Sequence, residues 1–293
     1  MTIRDALIAA QSILQKNSIE EPLKEARRLL ALSPVLPLEQ QLKTADRSLT
    51  EEETSLFFSF VNRRAAGEPF AYLAGVSEFF GRPFLVGPGV LIPRPETEQL
   101  VAWWLEKILS LRNKGELGNS LTLLDIGTGS GCIGITLALE LEARGIVIEG
   151  LHLTDISREA LSYAKKNLAA LQVSCPVMLE ETDLLPEVWP SADLVFSNPP
   201  YIDVANDPAL ETSVLTFEPR LALDGGAAGM VVYQKLAARL NEVADGPFYL
   251  GLEHGYRQAD QVKQVFQASR FDVISSMTDY NGYERGQWLV WHK

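Results

Sequence analysis

Four consecutive residues, Asn198, Pro199, Pro200 and Tyr201, combine an amide side chain, two fixed-φ residues without an N–H, and an aromatic ring. The prolines stiffen the backbone and leave its carbonyls free. The Asn198 side-chain oxygen and the Pro199 carbonyl can then both accept from one planar NH2 group, while Tyr201 stacks on its flat face. Such a clamp suits an amino nitrogen conjugated to a π system, as in adenine, cytosine or a carboxamide. That nitrogen is a poor nucleophile because its lone pair is delocalised. Two acceptors orient it and stabilise the positive charge that develops as it attacks, and holding it in line with an electrophile supplies proximity. No strong general base is required, which fits a segment without a nearby His.

A second constellation lies upstream. "LLDIGTGSGCIGI" reads as strand, loop and helix, with Gly127, Gly129 and Gly131 separated by Thr128 and Ser130. Glycines here allow backbone conformations that a Cβ forbids and let a ligand approach the main chain. Asp155 ends the following strand, where a carboxylate can accept from both hydroxyls of a ribose. Two cofactors satisfy this pattern. Residues 129–134, "GSGCIG", fit G-x-G-x-x-G, and Asp155 stands near the spacing of a dinucleotide site. S-adenosylmethionine fits equally, its methionyl part over the glycine loop and its ammonium group near Asp125. After the third strand, Asp183 is positioned to reach an adenine edge and Leu184 offers the ring an apolar surface. Hydride transfer has no use for an NH2 clamp, so residues 198–201 decide for S-adenosylmethionine, with S-adenosylhomocysteine as product.

The elements that must hold these groups follow from periodicity. Residues 1–72 read as an all-helical domain, with helices at 3–16, 21–32 and 51–66; Thr50 and Glu53 form a capping-box pattern for the third. Residues 70–96 are rich in aromatics, Gly and Pro, with β-like pieces near 77–80 and 83–86, so 73–95 is read as a hairpin linker. A helix is expected over 97–112. From residue 121 strands alternate with helices, and the strands are nearly continuous apolar runs, which predicts an α/β domain over 96–293 with a parallel sheet covered on both faces. Ligands of such sheets bind beyond the carboxyl ends of the strands.

Composition excludes several classes. The net charge is −12, of which residues 1–72 carry about −1, and an acidic surface repels phosphate backbones. A nucleic acid is therefore disfavoured as the direct substrate. Two cysteines and three scattered histidines suggest neither a disulfide framework nor a metal site. The first helix is amphipathic and not a signal peptide, and no apolar run is long enough to span a bilayer. A monomeric cytoplasmic protein without membrane contact is expected.

Adenine, RNA-base and protein-amide methylation all remain open to this chemistry, although the acidic charge leans toward protein. Resemblance goes further. "GEPFAYLAGVSEFFGRPF", "VLIPRPETEQLV", "LDIGTGSGCIGI", "SNPPYI" and "FEPRLALDGG", in this order over about residues 67–255, resemble the protein-(glutamine-N5) methyltransferases that modify peptide chain release factors. The glycine loop is generic to methyltransferases, and the NPPY motif is shared by several amino-methylating families. "LIPRPETE" with the aromatic-rich stretch before it is the specific element, distinguishing the chain from the related ribosomal-protein glutamine methyltransferases. The resemblance implies a Rossmann-like, seven-stranded class I methyltransferase domain behind the helical domain and hairpin. It implies that Gly127 to Gly131, Asp155, Leu184 and Asn198 contact the cofactor, and that Asn198 to Tyr201 hold the glutamine of a Gly-Gly-Gln loop in a release factor. Recognition of the release factor would fall to the N-terminal helices. Arg94, Glu96, Glu218 and Arg220 either line the site or brace it, and Trp103 and Trp104 are expected to pack.

Overall fold

The computed structural model describes residues 1–32, 36–41, 43–206 and 212–292, which fold as two compact units. The first contains α1 (Ile3–Lys16), α2 (Pro22–Ala31), α3 (Leu38–Gln41), α4 (Glu51–Ala65) and α5 (Phe70–Ala74), and the short α9 (Thr212–Phe217) clusters with it. Two capping boxes start its long helices: Thr2 with Asp5 on α1, and Thr50 with Glu53 on α4. Each box satisfies amides that the first helical turn leaves without partners. Ile3, Ala10 and Leu14 of α1 meet Ala26 and Leu29 of α2 and Phe57 and Val61 of α4 in a closed apolar core. Glu25, also buried there, is paired with Arg28 and Arg64. Helix α5 straddles the 72/73 boundary read from sequence between helical domain and linker: Pro69 precedes it and Gly75, in the left-handed region, ends it.

The second unit starts at Ser77, inside a hairpin of β1 (Val76–Phe79) and β2 (Arg82–Leu85). Its turn residues Phe80 and Gly81 both have positive φ, as a tight hairpin requires. Then come α6 (Pro95–Asn113), β3 (Ser120–Ile126), α7 (Cys132–Glu142), β4 (Val147–Asp155), α8 (Arg158–Ala170), β5 (Val177–Glu181) and β6 (Leu194–Ser197). After α9 the chain continues through α10 (Val231–Val243), β7 (Phe248–Glu253), α11 (Ala259–Gln267), β8 (Phe271–Thr278) and β9 (Glu284–Trp291). The strands form one seven-stranded sheet in the order β5-β4-β3-β6-β7-β9-β8.

The sheet is parallel from β5 to β7, as the strand–helix alternation predicts, but its last two pairings are antiparallel. The connection between β8 and β9 is a short turn, too short for a parallel crossover. Alternate residues of β3 and β6 face opposite layers. Leu123 and Phe196 pack with α6 and α7, whereas Leu124 and Val195 pack with α10 and α11. Trp104 is fully buried at 5.3 Å from the Phe196 ring, in space that exists because position 251 is glycine; a Cβ there would lie 2.8 Å from both rings. The two C-terminal tryptophans belong to opposite layers, Trp288 to the first and Trp291 to the second.

Candidate active site

Strand order reverses between β3 and β6, the point at which an open α/β sheet presents a crevice. Ile126 and Ser197 are partners across this pair, and the Ser197 hydroxyl donates to the Ile126 carbonyl at 2.9 Å. Gly127 and Asn198 therefore leave the sheet side by side. Thr154 pairs with Ile126 on the other flank, which brings Asp155 to the same edge. A cavity of about 720 Å³ opens there. Of the residues singled out in the sequence, Gly127, Thr128, Gly129, Ser130, Asp155, Asp183, Leu184, Asn198 and Pro200 line it. Asp125, Gly131, Pro199 and Tyr201 stand behind that lining rather than in it.

The glycine loop is held from below. Gly127, Gly129 and Gly131 all have positive φ, and a Cβ at Gly131 would sit 2.6 Å from Ile135. One Asp125 oxygen accepts from the Thr128 hydroxyl at 2.6 Å and from the Gly134 amide at 3.0 Å. Its other oxygen, Oδ1, is buried without a hydrogen-bond partner among the described residues. Burial pushes this carboxyl up to about 6. Asp155 accepts from the amides of Gly129 and Ser157, both at 2.8 Å, and burial raises its pKa as well. Fully buried Asn167 ties the loop to the hairpin: its amide donates to the Ser130 and Leu85 carbonyls, and its oxygen accepts from the Leu85 amide.

The 198–201 segment is equally constrained. Ile202 donates to the Leu223 carbonyl and accepts from the Gly225 amide, so "LALDGG" runs alongside "NPPYI". Gly225 approaches so closely that a Cβ would lie 2.7 Å from the Pro200 carbonyl oxygen and 2.8 Å from Tyr201 Cα. Gln258 donates to the Tyr201 carbonyl at 2.9 Å, and the Tyr201 ring packs against the α10–α11 layer. Burial raises the pKa of its phenol, so it stays neutral. Asn198 Nδ2 donates to Thr97 Oγ1 at 3.4 Å, and the Thr97 hydroxyl donates to the buried Glu253 at 2.7 Å.

The four polar residues with two readings resolve as follows. Arg94 lines the cavity and is ion-paired with buried Glu218, whose carboxylate also accepts from the Ile92 amide. Arg220 lines it too and pairs with Asp224. Glu96 does not line it. Thr97, Asn167 and Glu253 escaped the sequence reading. Glu253 carried a usable signal, an acid at the carboxyl end of an apolar strand, whereas Asn167 looks like any polar residue on a helix.

The seven-stranded sheet with its crevice over a glycine loop is the architecture of a class I, Rossmann-like methyltransferase. The catalytic domain of hMettl16 shares it, with a TM-score of 0.50 and 15% identity over 83% of this chain and 82% of that one. The family model described as the PrmC N-terminal domain matches residues 5–75, and the methyltransferase small domain matches residues 109–274. A release factor glutamine methyltransferase of Koribacter versatilis is 36% identical over 94% of this chain and 95% of that protein. One from Bacillus cereus is 35% identical over 97% and 98%. The chain belongs to the release factor glutamine methyltransferase family.

Proposed function

We infer that the protein transfers a methyl group from S-adenosylmethionine to the side-chain amide nitrogen, N5, of the glutamine in the Gly-Gly-Gln motif of peptide chain release factors. The observation that carries this reading is that Asn198 and Pro200 line the same cavity as the glycine loop and Asp155. In this reading an NH2 clamp and a nucleoside site share one space.

The cavity carries charges of both signs, but two of its three basic side chains are already paired, Arg94 with Glu218 and Arg220 with Asp224, leaving Lys235. Asp155, Glu159 and Asp183 line the cavity, and Asp125 lies beneath the loop. The Gly134 amide, in the first turn of α7, is taken by the Asp125 carboxylate, so a pyrophosphate there would meet a buried negative charge. The negative charge of Asp125 beneath the loop favours an ammonium group above it instead. Gly127 to Gly131 would accommodate the methionyl part, Asp155 the ribose, and Asp183 and Leu184 the adenine. When bound, S-adenosylmethionine supplies a methyl group on positively charged sulfur, an electrophile strong enough for an amide nitrogen. Asn198 Oδ1 and the Pro199 carbonyl would accept from the glutamine NH2, aligning it and stabilising the charge that gathers on nitrogen, which gives up one proton to solvent once methylated. The neutral Tyr201 ring, packed against the α10–α11 layer behind the lining, backs the clamp.

In this reading residues 1–72 form the domain that recognises the release factor, 73–95 the linker and 96–293 the catalytic domain. The enzyme acts as a monomer in the cytoplasm, and no helix among the described residues is long and apolar enough to cross a membrane. The test is methyl transfer from labelled S-adenosylmethionine to purified release factor, with and without replacement of the Gly-Gly-Gln glutamine. Label should vanish with the glutamine. Label that persists after the replacement, or that appears only on added nucleic acid, refutes the assignment.

A further inference from the structure

Glu253 is an acid that the clamp chemistry does not call for. It ends β7, is 3% exposed, and its one side-chain hydrogen bond among those described comes from the Thr97 hydroxyl at 2.7 Å. Thr97, itself 2% exposed, stands in the first turn of α6. Its hydroxyl has a single proton, and that proton points to Glu253. The Thr97 oxygen can therefore only accept from Asn198, and it does so from Nδ2 at 3.4 Å. With Nδ2 occupied, Oδ1 is the end of the Asn198 amide left for a substrate.

We propose that Glu253 and Thr97 are positioning residues that fix the orientation of the Asn198 amide, so that an acceptor and not a donor meets the substrate NH2. The proposal rests on the methyl-transfer reading above. Without the relay an Asn amide can rotate by half a turn at little steric cost, and the rotated form would present NH2 to NH2. The arrangement thus sets a chemical polarity that shape alone cannot set. The acid acts only through Thr97 and takes no proton from the substrate.

The relay has a titratable switch at its base. Desolvation raises the Glu253 carboxyl to about 7, partly offset by the hydrogen bond from Thr97. The charged or titratable groups around it are Arg94, Glu96, Cys132, Tyr201, Tyr233 and Arg285. The two arginines favour the carboxylate and Glu96 opposes it. When Glu253 is protonated it can donate to Thr97, which frees the Thr97 proton to point at Asn198 and reverses the polarity. Turnover should therefore fall as pH drops through about 7.

The experiment uses the full chain, S-adenosylmethionine and a release factor carrying Gly-Gly-Gln. Thr97→Val should lower kcat roughly 10- to 100-fold, the cost of a misaligned reacting group, with cofactor affinity changed by less than about threefold. Thr97→Ser, which keeps the hydroxyl, should recover most of the turnover. Glu253→Gln, whose side-chain oxygen can still accept but cannot be protonated, should remove the acidic limb of the kcat–pH profile. Thr97→Val with near-native kcat overturns the proposal, as does Thr97→Ser as inactive as Thr97→Val, or an acidic limb unchanged in Glu253→Gln. Failure of the native enzyme to methylate the glutamine would instead overturn the underlying reading, so the two failures are distinguishable.

Discussion

Replacing Asp125 with Asn should weaken cofactor binding and change how stability depends on pH. The carboxyl is fully buried and its pKa rises from 3.8 to about 6, chiefly through desolvation. At 1.36 kcal/mol per pKa unit, the ionised group costs the folded state about 3 kcal/mol at neutral pH. The sign is fixed by the folded pKa lying above the unfolded one. The carboxyl's stabilising contribution is fully present below about 3.8 and is lost as pH rises through about 6. Asparagine can keep the bonds from Thr128 and Gly134 through its own oxygen, but it carries no charge. Its NH2 then falls where Oδ1 has no partner, a donor left unsatisfied at a constant penalty of about 1–3 kcal/mol. The absolute stability of Asp125→Asn is therefore less informative than its pH dependence. Relative to the native chain, the variant should gain about 2–3 kcal/mol between pH 4 and pH 8 in denaturant unfolding. Calorimetric titration at pH 8 should meanwhile show S-adenosylmethionine bound roughly 10-fold more weakly, because the negative charge beneath the loop is lost. A stability difference that stays flat with pH would mean that no buried charge is carried there. Unchanged affinity would remove Asp125 from the cofactor site.

Asn198→Ala should leave cofactor affinity within a few-fold of native while kcat for release-factor methylation falls about 10²–10³-fold; an active variant refutes the clamp. Gly225→Ala places a methyl within 2.9 Å of three backbone atoms, including the Pro200 carbonyl oxygen. It should destabilise the protein by about 1–3 kcal/mol and lower turnover, and native-like melting and activity would show that the 223–225 segment does not brace the clamp. Thr50→Ala removes the hydroxyl that accepts from the Glu53 amide, and should cost about 1 kcal/mol in thermal or denaturant unfolding without changing cofactor affinity.

What was legible in the sequence has a physical pattern. The α/β class, the hairpin and the edge of the sheet that carries the site follow from short-range signals: apolar runs of strand length, helical spacing, and Gly and Pro at turns. Thr50–Glu53 is of this kind, a contact across three residues whose energetics are local. Helix α5 was missed because its five residues, between Pro69 and Gly75, are too few to show a period. The antiparallel end of the sheet was missed because an apolar strand does not encode its own direction. That is set by the five residues between β8 and β9, which leave room only for a turn.

The clamp itself divides along the same line. Its residue types are contiguous, so the chemistry they can perform is readable from "NPPY" alone. Its orientation is not, because Thr97 lies 101 residues before Asn198 and 156 before Glu253, and only the packing of α6 against the sheet brings the three together. The same holds for Gly225, unremarkable in "LDGG" until Pro200 and Tyr201 are found against its Cα. A motif names the groups that react, whereas the residues that fix their direction are drawn from whichever elements the fold makes adjacent. For the weakly nucleophilic amide proposed as substrate, direction matters as much as identity. An Asn198 amide turned by half a revolution has the same atoms in the same volume and the opposite hydrogen-bonding sense, and the buried Thr97–Glu253 pair distinguishes the two states.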